Sequence, residues 1–234
     1  MTPRTKRTPR RVAAAVALSI AVAACGSSSD DSASDEPAVS EDAQASIDDR
    51  VAAGTLSGIV REPAPVVGEH QLPSLTSPGV DVDFAAADGG LQVVYFGYTN
   101  CPDLCPTTLF DLTVALRKLD DFTPGSADLI ETVMVTVDPD RDLEILPDYL
   151  TSFISDGIAV GTPDADDLLA VADPFGVNYE VRTLDDGSIE VDHTPFLYAV
   201  NAAGELVLTW QFGASSDDMA ADLAILLEQH GATA

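Results

Sequence analysis

Basic residues are scarce in this 234-residue sequence, which has 11 Lys and Arg against 39 Asp and Glu and a formal net charge of −28. Five of the basic residues lie within the first eleven positions, so the rest of the chain carries about −33 by the same count. Phosphate backbones are bound mainly by Lys and Arg, and this composition therefore excludes nucleic acid as a partner. The acidity also argues against direct binding to anionic lipid, so attachment to a membrane must rest on an anchor.

Long hydrophobic runs are also missing. The stretch Val12–Ala24 is too short to span a bilayer as a helix, and because it follows a basic segment it predicts an export signal. It ends in Ala23-Ala24-Cys25, and small residues directly before a cysteine resemble the bacterial lipobox. We therefore expect cleavage before Cys25, lipidation of its thiol, and an exported lipoprotein anchored to the outer face of the cytoplasmic membrane. The alternative is an ordinary signal peptide that contains a cysteine.

Large apolar residues are almost absent from the segment that follows Cys25, which is rich in Ser, Asp, Glu and Ala. Such a segment cannot bury enough surface to fold. The sequence thus predicts a lipoprotein signal peptide at residues 1–24, a disordered acidic tether at 25–55, and one folded domain at 56–234. Roughly 175 residues are enough for a single domain with a full hydrophobic core.

Cysteines are few, and once Cys25 is assigned to the lipid only Cys101 and Cys105 remain. They follow an apolar run, Leu91–Phe96, that predicts a buried strand, and they precede Thr107–Leu119, whose apolar residues recur at helical spacing. The pair is therefore expected where a strand passes into the N-terminus of a helix, among unpaired N–H groups with partial positive charge. Such surroundings lower the pKa of a thiol and favour the thiolate, which attacks disulfides and binds metals.

The spacing of Cys101 and Cys105 leaves several roles open. In an exported domain the pair can oxidise to a structural disulfide, but so short a loop constrains little chain entropy and is a poor staple. If the segment is helical, residues i and i+4 face the same way, so the two sulfurs can meet one ion or each other. These considerations favour redox chemistry or metal binding. In redox chemistry Cys101 is expected to be the more exposed, attacking thiolate and Cys105 the resolving thiol.

Strand and helix signals alternate along residues 56–234, which predicts an α/β fold. A cysteine pair that follows the first core strand and opens the first helix is the thioredoxin-like arrangement, here a three-layer α/β/α fold with a central mixed sheet and added β-hairpins. Right-handed crossovers place the cysteine loop at the carboxyl end of the sheet. The main expected strands are 91–96, 129–137, 158–161, 178–182, 189–191, 194–200 and 206–210, and the main expected helices are 107–119, 146–154, 162–176 and 216–229.

Histidines number three, and His193 alone has a context that suggests a ligand. It lies at the start of a predicted strand, and the preceding Asp192 could orient its ring. In a thioredoxin-like fold this loop lies beside the cysteine loop. Thr194-Pro195 could correspond to the cis-proline position there, although the sequence does not give its isomer. The other two histidines are interpreted as ordinary surface or core residues: His70 and His230.

Alternating aspartates at residues 138–142, Asp-Pro-Asp-Arg-Asp, resemble a calcium-binding loop. The match fails, because the sixth position is Leu143 rather than Gly and the twelfth is Tyr149 rather than Glu. We expect instead a loop near the site in which Arg141 pairs with its acidic neighbours. Asp138 is expected to support the ligands without binding the metal.

Three motifs, in this order along the chain, resemble those of the Sco/SenC copper-chaperone family. They are Gly-Tyr-Thr-Asn-Cys-Pro-Asp-Leu-Cys-Pro at 97–106, Val-Thr-Val-Asp-Pro-Asp-Arg-Asp at 135–142, and Val-Asp-His-Thr-Pro at 191–195. The resemblance covers nearly all of the chain from about residue 56. It implies a thioredoxin-like fold in which Cys101, Cys105 and His193 bind copper, as Cu(I) or Cu(II).

The resemblance also implies a partner. It implies that the protein delivers copper to, or reduces thiols of, the CuA-carrying subunit of cytochrome c oxidase, and we expect a copper donor or a thiol reductant as a further partner. Two points differ from many relatives: Pro195 replaces a less constrained residue, and the expected lipid anchor replaces a transmembrane helix.

The donor chemistry agrees with copper. Two thiolates select soft ions such as Cu(I), and imidazole suits both copper oxidation states, whereas structural zinc usually takes a fourth ligand. The main alternative is an extracytoplasmic thiol-disulfide oxidoreductase, for which His193 would be dispensable. Two weaker alternatives are a peroxiredoxin-like peroxidase and a non-catalytic binding module stabilised by a Cys101–Cys105 disulfide.

Overall fold

The fold is described from a computed structural model, which describes residues 41–230, with side chains from residue 47 onward. The predicted signal peptide and Cys25 lie outside the described residues. Within residues 41–230, no helix combines the length and the apolarity needed to cross a membrane.

A six-stranded mixed sheet forms the centre of the domain. The strands occur in the order β1-β10-β9-β4-β5-β6, with β4, β5 and β6 parallel and the other neighbours antiparallel. Two separate hairpins, β2–β3 and β7–β8, are added to it. This confirms the predicted α/β, thioredoxin-like fold with a mixed sheet and added hairpins. The strands are β1 Ile59–Val60, β2 Gln71–Pro73, β3 Asp81–Asp83, β4 Leu91–Gly97, β5 Ile130–Thr136, β6 Ile158–Val160, β7 Tyr179–Thr183, β8 Ile189–His193, β9 Leu197–Val200 and β10 Leu206–Trp210.

Six α-helices accompany the strands within residues 41–230, and α2 and α6 pack against each other. Gly176, in the left-handed conformation, ends α5, and the loop from Thr123 ends α2. The helices are α1 Glu41–Ala53, α2 Leu104–Phe122, α3 Pro139–Asp142, α4 Leu146–Thr151, α5 Ala165–Phe175 and α6 Ser216–His230.

Strand β4 positions the cysteine loop. All seven of its residues are buried, because it lies between β9 and β5 and both of its faces are covered. Its parallel pairing with β5 runs in register from Leu91↔Ile130 to Gly97↔Thr136. The loops that follow these two strands therefore leave the sheet side by side, at the carboxyl edge that the sequence predicted for the site.

The domain begins earlier than the sequence predicted, because α1 lies in residues assigned to the tether. Ile47 is buried and Val51, one turn later, packs against the same core. Arg50 forms ion pairs with Asp218 and Asp222 of α6. The predicted tether was therefore wrong for residues 41–55. The segment is acidic overall, but it contains two apolar residues one turn apart, Ile47 and Val51. Their burial depends on α6, which lies far along the chain.

Two local predictions also differ from the structure. The helix predicted at 162–176 begins three residues later, because Asp164 caps α5: its side chain accepts hydrogen bonds from the N–H groups of Asp166 and Asp167. Residues 138–142, predicted as a loop, contain the one-turn helix α3, which begins with Pro139 in the position that suits proline.

Candidate metal centre

Three side chains converge beyond the carboxyl edge of the sheet. The sulfurs of Cys101 and Cys105 and a ring nitrogen of His193 all lie within 4.8 Å of one another. The sulfur of Cys105 is 3.7 Å from Nε2 of His193. Within the part of the chain that the structure describes, this is the one cluster of three or more Cys, His, Asp or Glu that could hold a metal ion.

The end of β4 forms the floor of the site, and Gly97 is required there. A Cβ at residue 97 would lie 2.7 Å from Cε1 of Tyr95, 3.1 Å from Cε of Met134 and 3.2 Å from the sulfur of Cys105. A side chain at this position would therefore displace the sulfur or its buried neighbours.

Cys101 lies just before α2, and its sulfur accepts a hydrogen bond of 3.2 Å from the N–H of Cys105 in the first turn. The side chain of Asp103, the N-cap residue, makes no capping bond, so the sulfur of Cys101 takes the role of a cap. Hydrogen bonds to the sulfur, first from the Cys105 thiol and then from nearby N–H groups, lower the pKa of Cys101 from 9.0 to about 3. The predicted thiolate at the helix N-terminus is thus placed at Cys101.

Cys105 is the inner thiol of the pair. It is fully buried, whereas Cys101 keeps 8% of its surface exposed, which confirms Cys101 as the more exposed of the two. Its hydrogen bond to the Cys101 sulfur and its burial raise the pKa of Cys105. The reduced site therefore holds one thiolate and one thiol that share a proton.

Both cysteines are free thiols in the structure, which therefore describes the reduced form. The Cys101–Cys105 disulfide remains a prediction for the oxidised form.

His193 ends β8, and its ring is held by contacts on several sides. Its Nδ1 lies 3.2 Å from the carbonyl oxygen of Thr194, and because a carbonyl only accepts, Nδ1 carries the hydrogen and Nε2 faces the cysteines. The rings of Tyr98 and Tyr95 meet the imidazole edge to face, with centroids 5.7 Å and 6.2 Å away. The ring thus presents a lone pair to the ion that the two sulfurs would bind.

The predicted role of Asp192 was wrong. Neighbouring residues of a strand point to opposite faces, so the Asp192 side chain turns away from the imidazole. It is exposed and bonds at 2.5 Å to Arg182, which also pairs with Glu180 and Glu190. The carbonyl of Thr194 orients the histidine instead.

Asp138 behaves as the sequence predicted in its pairing, since it is buried and forms an ion pair with Arg141. No hydrogen bond joins Asp138 to any of the three site residues among the described contacts.

The residue that sequence reasoning missed is Asp142, whose buried carboxylate accepts hydrogen bonds from Thr99, two positions before Cys101. A signal for this role lies in the motif at residues 138–142, because these residues directly follow a buried strand and so lie at the edge of the sheet where the site is.

The Thr194–Pro195 bond is trans, since Glu62–Pro63 is the one cis peptide within the described residues. Pro195, two residues after the histidine ligand, therefore does not have the cis peptide bond that the sequence suggested for this position. His70 and His230 lie outside the cluster, as expected.

The donor set fits copper better than zinc. Two sulfurs and one imidazole suit soft Cu(I) and also Cu(II), while a structural zinc site would usually require a fourth ligand. A three-ligand site near the surface also leaves room for an incoming ligand from another protein.

Comparison with known proteins is consistent with this geometry. The sequence model of the SCO1/SenC family matches residues 60–228. A SCO2-like protein of Rickettsia conorii is 33% identical over 135 residues, which are 56% of this chain and 63% of that protein. The chain spans between 56 and 63% of the lengths of this and three further curated Rickettsia relatives.

Solved structures show the same fold. ScoI of Bradyrhizobium japonicum with copper bound is 28% identical, with a TM-score of 0.57, covering 69% of this chain and 96% of that one. Apo Sco1 of Thermus thermophilus is 27% identical, with a TM-score of 0.56, covering 75% of this chain and 96% of that one.

Proposed function

The chain belongs to the SCO1/SenC family, and from that premise we propose that it is a copper carrier that binds the ion through Cys101, Cys105 and His193. The observation that carries this proposal is the convergence of two sulfurs and Nε2 within 4.8 Å. The copper-bound relative from Bradyrhizobium japonicum supports copper as the ion.

The arrangement suits a carrier because the metal can leave by ligand exchange. Cys101 is already a thiolate, so metal binding requires the loss of one proton, from Cys105. His193 is half-buried at the end of an added hairpin, and a ligand from an acceptor can replace it while the two sulfurs still hold the ion.

We propose the CuA-carrying subunit of cytochrome c oxidase as the acceptor, because this is the destination that the family resemblance implies. Attachment is proposed to occur through a lipid on Cys25, which would hold the exported domain at the outer face of the cytoplasmic membrane. The strong negative charge fits an anchor of this kind, since the domain itself would be repelled by anionic lipid.

A Cu(I) titration of the purified, reduced protein against a competing chelator tests the proposal. Wild type is expected to bind one copper per chain, and the Cys101→Ser/Cys105→Ser double variant is expected to bind none. Equal copper uptake by the two proteins would refute the proposed site.

The low pKa of Cys101 supports a second candidate, a thiol-disulfide oxidoreductase. The Cys101 thiolate would attack a partner disulfide, forming a mixed disulfide and releasing one partner thiolate. Cys105 would then attack Cys101, which closes the Cys101–Cys105 disulfide and frees the second partner thiol; a dithiol reductant would supply the two electrons for the next cycle. This activity needs no imidazole, so full reduction of a disulfide substrate by His193→Ala, combined with negligible copper binding by wild type, would favour it.

A further inference from the structure

The carboxylate of Asp142 is completely buried, and both of its oxygens accept hydrogen bonds. Its Oδ2 accepts hydrogen bonds from the N–H of Thr99 at 3.0 Å and from Oγ1 of Thr136 at 2.7 Å. Its Oδ1 accepts a bond of 2.5 Å from Oγ1 of Thr99. A buried carboxylate is costly unless it is satisfied in this way, which indicates that the three bonds hold a defined geometry.

The partners of Asp142 lie at the end of β5 and just beyond the end of its parallel neighbour β4. Thr136 ends β5, in register with Gly97 at the end of β4, and Thr99 lies two residues beyond Gly97. A single side chain of α3, the short helix that follows β5, therefore binds the loop after β4 to the end of β5.

Thr99 lies inside the turn that leads to the first ligand. The turn runs from Tyr98 to Cys101 and is closed by a bond of 3.4 Å from the N–H of Cys101 to the carbonyl of Tyr98. At one end of this turn the Tyr98 ring contacts His193, and at the other end the sulfur of Cys101 meets α2. Holding Thr99 thus fixes both the cysteine and the aromatic contact of the histidine.

We propose that Asp142 is a positioning residue for the copper site: by fixing Thr99 it sets where Cys101 and Tyr98 stand relative to Cys105 and His193. The inference rests on the proposed copper function. Residues that hold ligands in place through hydrogen bonds typically change metal affinity by about 10- to 100-fold when they are lost.

Four variants test this role. Asp142→Ala removes all three acceptor contacts, and Thr99→Val removes the bond from Oγ1 while the N–H remains. Asp142→Asn keeps an oxygen for the N–H of Thr99 and can donate to its hydroxyl, because a hydroxyl both donates and accepts. Asp140→Ala is the matched control, since Asp140 lies in the same helical turn with an exposed side chain.

Two readouts are measured: Cu(I) affinity of the reduced protein, and amide hydrogen exchange of residues 98–101 in the metal-free reduced protein. Asp142→Ala is expected to lower affinity by about tenfold or more and to speed exchange in this segment while β4 stays protected. Thr99→Val should change both in the same direction by less. Asp142→Asn and Asp140→Ala should remain close to wild type.

The outcomes separate this inference from the proposed function. Wild-type affinity and wild-type exchange in both Asp142→Ala and Thr99→Val would overturn the positioning role while leaving the copper proposal intact. Absence of copper binding by wild type would overturn the copper proposal, and exchange alone would then decide whether Asp142 holds the loop. If Asp142→Ala does not fold, Thr99→Val decides the result.

Discussion

The cysteine segment grows out of β4, in which every residue is buried, whereas His193 ends β8, in which none is. Strand β4 pairs on both sides within the central sheet, while β7 and β8 pair only with each other. The sulfur ligands therefore stand on a rigid base, and the histidine stands on an added hairpin whose strands are joined by backbone pairing and carry exposed ion pairs around Arg182. This difference fits the proposed carrier, because two firmly held ligands can keep the ion while the third is exchanged.

The two cysteines should also differ in how their reactivity toward an alkylating agent depends on pH. Because the pKa of Cys101 is lowered to about 3, its thiolate is present above that pH and is lost only as the pH falls through it. Alkylation of Cys101 by iodoacetamide in the reduced protein should therefore change little between about pH 5 and 8, whereas an ordinary cysteine gains about tenfold per unit.

Mass spectrometry of the alkylated peptide distinguishes the two cysteines. Cys105, whose pKa is raised, should remain largely unmodified over the same range. A tenfold rise per pH unit at Cys101 would contradict the thiolate assignment.

A methyl group at the floor of the site should disturb the buried end of β4, which supports the two sulfur ligands. Gly97→Ala places a Cβ against the Tyr95 ring and the Cys105 sulfur, which should cost about 1 to 3 kcal/mol of unfolding free energy. Copper affinity should fall by about tenfold or more, since a shift of the order of an ångström already disturbs the ligand geometry.

Gly79→Ala provides the matched control for that variant. Residue 79 has a φ of +86° and open space around it, so alanine is strained there and costs about 1 to 2 kcal/mol without touching the site. An equal loss of copper affinity in both variants would show that stability, rather than the floor of the site, controls binding.

The smallest effect is expected on the hairpin surface. Arg182→Gln removes the shared partner of Glu180, Glu190 and Asp192, but exposed pairs contribute little to stability. Copper affinity should stay within about twofold of wild type, with the largest difference at low salt. A loss comparable to that of Gly97→Ala would mean that the ion pairs, and not the backbone of β8, place His193.

Much of the rigid region could be predicted from the sequence, because its signals are local. The apolar run of β4 and the helical periodicity after Cys105 specify a strand, a turn and a helix, and the structure has them with boundaries a few residues different. The convergence of His193 with Cys105 joins residues 88 positions apart, and local patterns do not encode such a pairing. The resemblance of the motifs supplied it.

The predictions that failed have two causes: the first is dependence on a distant partner, and the second is the alternation of side chains along a strand. Ile47 and Val51 form a buried helix face only because α6 covers them. Asp192 was expected to orient His193 from its neighbouring position, yet strand alternation sends its side chain to Arg182. Asp142 was hidden because its role depends on Thr99, 43 residues earlier in the chain.

The most direct test of the account compares wild type with His193→Ala by Cu(I) titration of the reduced proteins and by the absorption of their Cu(II) forms. The account predicts that His193→Ala keeps its fold and both thiols, loses Cu(I) affinity by about tenfold or more, and loses or shifts the thiolate-to-Cu(II) band. An unchanged affinity together with an unchanged band would contradict the three-ligand site.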